Sequence, residues 1–66
     1  MLKSTVVREV AMVDGVVVDL YRVIVSCLVD GRWGVVDQTN LFDRRADAVV
    51  GGTELLRLYN EQRESE

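Results

Sequence analysis

The run from Val16 to Val29, VVVDLYRVIVSCLV, stands between two Asp-Gly pairs, Asp14-Gly15 and Asp30-Gly31. Val and Ile dominate the run, and their stiff, β-branched side chains favour the pleated strand. No Gly or Pro interrupts it. Asp-Gly between apolar runs is a strong hairpin signal, because both residues accept the positive φ of a type I′ turn. A strand closed by a tight turn at each end is the middle strand of a three-stranded antiparallel meander, and the rest of the chain has to fit around it.

The turns also set the pairing. With Asp14-Gly15 as a two-residue loop, the first strand covers about 4–13 and Val13 pairs with Val16. Arg8 then stands opposite Tyr21, and Val10 opposite Asp19. One face carries Val6, Arg8, Val10 and Met12 beside Val17, Asp19, Tyr21 and Val23. The other carries Val7, Glu9, Ala11 and Val13 beside Val16, Val18, Leu20 and Arg22. Diagonal neighbours touch through long side chains, so Arg8 is expected to reach Asp19 and Glu9 to reach Arg22. The third strand, about 32–38, sets Leu28 against Trp33, Ser26 against Val35 and Val25 against Val36. Trp33 joins the face of Leu20, Ile24 and Leu28. Gly34, opposite Cys27, marks a bulge or a close backbone approach.

After Thr39-Asn40 the period changes. Ala46, Val49, Val50, Thr53 and Leu56 recur at three- and four-residue steps, with Leu55 and Leu58 widening the stripe, which predicts a helix over about 43–62. Asp43 is the expected N-cap, with Leu41 or Phe42 as the hydrophobic residue before it. Gly51-Gly52 falls mid-helix, where each glycine costs about 1 kcal/mol relative to Ala. Either the helix lies very close to the sheet there, or it breaks, with Thr53-Glu54 capping a second piece; one helix with a weak waist is the reading adopted. The charged end, residues 63–66, is expected to fray. The fold class is α+β: one βββα domain over residues 1–66, a three-stranded antiparallel meander followed by a C-terminal helix packed on one face.

The pairing leaves both sheet faces apolar, and one helix covers one face. A chain of this length buries only about 60% of its unfolded surface. Small domains add disulfides, metals or oligomerisation. A lone cysteine, Cys27, excludes an internal disulfide, and with no histidine a structural zinc site has no ligand set. Oligomerisation is the remedy left. The bare face therefore implies an interaction site, most economically a second copy around a two-fold axis.

The net charge is −3, and a single Lys and seven Arg are scattered among eleven carboxylates. A nucleic-acid footprint needs clustered cations, so that partner is disfavoured. Asp19 and Arg22 interrupt the longest apolar run, which excludes a spanning helix. The first residues lack a signal peptide's apolar core, so a cytoplasmic location with a reduced thiol is expected.

Catalysis has little to stand on. Histidine, the common base at neutral pH, is absent. Cys27 sits mid-strand as a small hydrophobe. Asp14 and Asp30 serve turns, Asp43 a cap, and the aspartates match no calcium loop. Gly51-Gly52 lacks the strand–loop–helix order of a phosphate loop. No catalytic, cofactor-binding or metal-ligating residue is assigned. Trp and Tyr with Arg nearby make typical contact anchors. Trp33 beside Arg32 and Phe42 beside Arg44-Arg45 are expected to form one exposed group, with Tyr21 on the face opposite the helix.

The stretch from Trp33 to Tyr59, a strand, a short turn, Phe-Asp and an Ala- and Leu-rich helix, resembles the closing βα unit of many small prokaryotic and phage domains. It is similar also to the end of double-stranded-RNA-binding domains, whose first helix and basic residues are absent here, and no residue role carries over. The expectation is a small non-enzymatic protein–protein interaction module, a homodimer acting as regulator or inhibitor of a larger protein, of the kind mobile elements encode. The alternatives are a small-ligand or nucleotide sensor, with a pocket between helix and sheet near Gly34 and Gly51, and a nucleic-acid accessory protein.

Overall fold

A computed structural model describes residues 1–64. Three antiparallel strands, β1 (Leu2–Val13), β2 (Val16–Val29) and β3 (Arg32–Gln38), form one sheet in the order β1-β2-β3, and one helix, α1 (Arg45–Glu64), packs against it. The α+β meander-plus-helix architecture is the one the two Asp-Gly pairs dictate. Asp14 and Asp30 take φ of 51° and 53°, and Gly15 and Gly31 follow at 79° and 78°. Positive φ at both central residues is the mark of a type I′ hairpin turn.

Between β1 and β2 the pairing runs without a slip from Val13↔Val16 to Leu2↔Cys27, with Arg8 opposite Tyr21 and Val10 opposite Asp19. Between β2 and β3, Leu28 faces Trp33, Cys27 faces Gly34 and Ser26 faces Val35. There the pairing shifts. A bulge lies between Val25 and Ser26, so Val25 opposes Asp37 rather than Val36, and Ile24 opposes Gln38. The extra residue brings Thr39 level with Val23. The Val23 N–H donates to Thr39 Oγ1 (3.0 Å), and the Thr39 N–H donates to the Val23 carbonyl (2.9 Å). The bulge is two residues beyond Gly34, at which an added Cβ would meet nothing within 4 Å.

The chain stays extended past β3. Tyr21 and Phe42 exchange two backbone hydrogen bonds of 2.7 Å each. This clamp explains why α1 starts at Arg45 and not at Asp43: the chain needs Asp43 and Arg44 to turn away from β2. The Arg44 carbonyl accepts from the Ala48 N–H (3.2 Å), so Arg44 takes the cap position. The Asp43 side chain makes no hydrogen bond among the described residues.

The helix is continuous through Gly51-Gly52. Thr53, the candidate cap of a second piece, instead donates back to the Val49 carbonyl (2.9 Å). The glycines are there because the helix seats on β2. A Cβ at Gly52 would stand 2.6 Å from Val23 Cγ1, and one at Gly51 3.1 Å from Phe42 Cζ. Carbon atoms in good contact lie ~3.5–4.0 Å apart, so no side chain fits at Gly52. The helix runs through Glu64; the last residues of the end expected to fray, 65–66, lie outside the described residues.

The core is small: Val23, Val25 and Ala48 are the buried apolar residues, at 2%, 0% and 0% exposure. Val23 and Val25 identify the covered face, and Tyr21, on the same side of β2 by strand alternation, belongs to it. The placement of Tyr21 opposite the helix is thereby corrected. The molecule measures 47 × 23 × 14 Å with a radius of gyration of 13.9 Å, against ~11 Å for a compact chain of this length. The excess comes from the β1–β2 hairpin, whose tip runs beyond the helix. Val10, Met12 and Val17 share the helix-side face yet are 65%, 71% and 62% exposed. Among the described residues, no helix is long and apolar enough to cross a membrane.

Candidate interaction surface

Among the described residues, no element covers the face of the sheet away from α1. Alternation along each strand places Val7, Ala11, Val18, Leu20, Ile24 and Leu28 in its middle, with Trp33 and Val35 on β3. All are apolar, and Val35 and Trp33 are strongly exposed. Neighbouring side chains, not another layer, give the central positions their partial burial.

One charged cluster interrupts this strip. Arg22 NH2 donates to Glu9 Oε2 (3.0 Å) and Arg22 NH1 to Gln38 Oε1 (2.9 Å). Arg22 Nε lies 2.9 Å from Glu9 Oε1 without aiming a hydrogen bond at it, a contact of charge alone. The expected Glu9–Arg22 pair therefore forms. Gln38 joins it only because the bulge turns Gln38 to this face. A cation paired across strands and capped by an amide is locally neutral, so the strip reads as apolar and polar rather than charged. No ion pair joins Arg8 to Asp19 among the described residues; on their face the sheet tip is open to solvent, where water competes for both groups.

At the other end, Lys3 Nζ stands over the Trp33 ring, 4.1 Å from its centre. Lys3 and Trp33 flank the same stretch of β2, through Ser26 and Leu28, so the contact follows from the register. A cation over an indole is worth about 0.5–1 kcal/mol at an exposed site. Trp33 is 42% exposed, with the Lys3 ammonium against its ring.

The expected anchor group does not assemble. Phe42 is half-buried on the helix side beneath Gly51, whereas Trp33 lies on the bare face. Arg32 is exposed opposite Val29 beside the second turn, and Arg44 and Arg45 are exposed at the start of α1. Tyr21 is half-buried next to Phe42. Reading the sequence overlooked Lys3 and Gln38. Lys3 was legible from the pairing, since it faces Ser26 beside Leu28 and Trp33; Gln38 was not, because Gly34 pointed to a bulge without placing it at Val36, and an unbroken pairing sets Gln38 on the other face.

A groove of ≈ 280 Å³ opens between α1 and the loop, lined by Thr39, Asn40, Phe42, Gly51, Glu54 and Leu55 among others. Gly34 is not part of it, so the pocket expected near both Gly34 and Gly51 is placed at Gly51 alone. Cys27 is half-buried, its thiol 3.9 Å from the Leu28 carbonyl. Among the described residues no three acidic or thiol side chains gather in one place. On the helix surface Arg57 bridges Glu54 and Glu61, and the bonded guanidinium holds the Glu54 carboxyl below the ordinary carboxylate range.

No protein-family model, no curated protein and no solved structure matches this chain.

Proposed function

We propose that the chain is a small non-enzymatic interaction module: a homodimer that acts on a larger protein, as a regulator or inhibitor, by covering part of its surface. The observation that carries this reading is the bare apolar strip from Val7 and Leu20 to Trp33, on a sheet whose one helix among the described residues lies on the other side. An apolar surface of that extent on a small domain marks a docking site. Within it the Arg22 charge is already balanced by Glu9 and hydrogen-bonded by Gln38, which lowers the desolvation that a partner has to offset. Trp33, with the Lys3 ammonium against its ring, supplies an aromatic anchor of the kind that carries binding energy. The reduced state of a lone thiol is in keeping with a cytoplasmic site of action.

The test is affinity capture from a host lysate with wild-type chain and with Trp33→Ala. The expected result is one protein retained by the wild type and lost from the variant while the far-ultraviolet circular dichroism of the two coincides. Retention unaffected by both Trp33→Ala and Leu20→Asp would refute the docking face. A second reading, a small-ligand sensor, draws on the groove at Gly51; a rise in melting temperature with a nucleotide or metabolite would favour it.

A further inference from the structure

The bare face is one unsatisfied surface; the outer edge of β1 is another. β1 is an edge strand with no neighbour beyond it. Its hydrogen-bonding phase follows from its partners. Val23 and Tyr21 direct their backbone groups away from β1, toward Thr39 and Phe42, while the Leu28 N–H points back toward the Met1 carbonyl. Even-numbered residues of β2 therefore bond to β1, and through the pairing so do odd-numbered residues of β1. The other six, Leu2, Ser4, Val6, Arg8, Val10 and Met12, present their N–H and C=O groups to the open edge. Natural edges are blunted by Pro, bulges, short length or charged side chains; of these β1 carries only charges, Lys3, Arg8 and Glu9, which any pairing along this edge has to match. This one runs for 12 residues with neither Pro nor bulge.

We infer that β1 pairs antiparallel with β1 of a second copy about a two-fold axis at Val6, giving a continuous six-stranded sheet. The inference rests on the homodimer of the proposed function and specifies how it forms. The bonding phase admits only registers that set even residues opposite even ones. Of these, an axis at Arg8 opposes two guanidinium groups, and an axis at Glu9 opposes two carboxylates, which destabilises the pair. An axis at Val7 leaves Lys3 against Ala11 and Glu9 against Thr5, with no opposite charges facing. An axis at Val6 sets Lys3 directly opposite Glu9 of the second copy, twice by symmetry, and Arg8 opposite Ser4, with Leu2 against Val10. It is the register with complementary charges on both sides of the axis and no like pair. It forms about ten new backbone hydrogen bonds, two at each bonded pair from Leu2↔Val10 to Val10↔Leu2.

The helices permit it. The axis is perpendicular to the sheet, so both helices lie on one side. Between the two copies of β2 are three strand spacings, about 14 Å, and α1 lies over β2 and, next, over β1. The two helices therefore stand somewhat closer than that, and since packed helices approach to about 8–10 Å between axes, the spacing allows them to lie side by side. The two bare strips then merge into one six-stranded face.

The test has two arms. Sedimentation of the wild type should give twice the 7.4 kDa mass of the chain. Val6→Pro removes an N–H that no bond within the chain uses, so it should leave circular dichroism intact while raising the dimer dissociation constant at least about tenfold. In a Cys27→Ser background, Thr5→Cys with Val7→Cys should give a disulfide-linked dimer, since Thr5 opposes Val7 of the second copy at a closely spaced, non-bonded pair. Val7→Cys alone should give none. A monomer, a dimer untouched by Val6→Pro, or cross-linking through Val7→Cys alone overturns the inference. Loss of the dimer with Leu20→Asp but not with Val6→Pro would overturn it and leave the docking face standing.

Discussion

The two ends of the same β1–β2 ribbon are built from the same residue types and live in different surroundings. Near Val23 and Val25 the ribbon is roofed by α1, flanked by β3 and Thr39, and closed to water. Near Val10, Met12 and Val17 it projects past the helix with both faces wet. β-branched composition chose the strand along its whole length, but only proximity to the helix decided which valines became core. Identity sets conformation; neighbours set burial.

The comparison breaks most sharply on one substitution made at both ends. Val23→Ala is expected to lower stability by about 2 kcal/mol, through lost burial and the cavity beneath Gly52. Val17→Ala, at an exposed site, should fall within about 0.5 kcal/mol of wild type. Urea unfolding of the pair decides it, and equal midpoints would mean that the tip is also packed. Next comes the seat itself. Gly52→Ala gains about 1 kcal/mol of helix propensity but drives a Cβ into Val23. Overpacking of that kind costs about 1–3 kcal/mol, so the net change is a loss, whereas Gly51→Ala meets only the tip of the Phe42 ring, at 3.1 Å, and is expected to cost less. A Gly52→Ala variant that melts higher than wild type would contradict this seating. Thr39→Val strips the acceptor from the buried Val23 N–H and is expected to cost about 1 kcal/mol, read as faster hydrogen exchange at Val23.

The smallest effect lies on the outer surface of α1. The Glu54 carboxyl, fully exposed, is held low by Arg57. Because the folded value is the depressed one, its contribution is present above the ordinary carboxylate range and is lost as pH falls through it. Solvent screening keeps it slight. Helicity followed by circular dichroism on acidification should fall marginally less in Glu54→Gln than in wild type; an identical pair of curves would remove any role for this bridge.

The legible parts of the fold were those governed by local chemistry. Asp14-Gly15 and Asp30-Gly31 specify turn length, turn length specifies register, and register placed Glu9 beside Arg22 and Trp33 beside Leu28. What escaped was set at longer range. The bulge at Val36 depends on Thr39 reaching Val23 across the strand, and the late start of α1 depends on Phe42 being clamped to Tyr21. Gly34 pointed to an irregularity in β3 without locating it, and nothing in composition or period points to the clamp. The same holds for the surface: its apolar strip was readable from alternation, but the separation of Trp33 from Phe42 onto opposite faces was not, since it depends on which side the helix chose.

The seat of Gly52 on Val23 also bears on how the molecule moves. One helical turn to either side of Gly52 stand Ala48 and Leu56, and neither fits the space that glycine leaves. The helix has no series of neighbouring resting places along β2, so a sliding, piston-like rearrangement is closed to it. Any movement of α1 relative to the sheet therefore begins with lifting off Val23 rather than with sliding along β2.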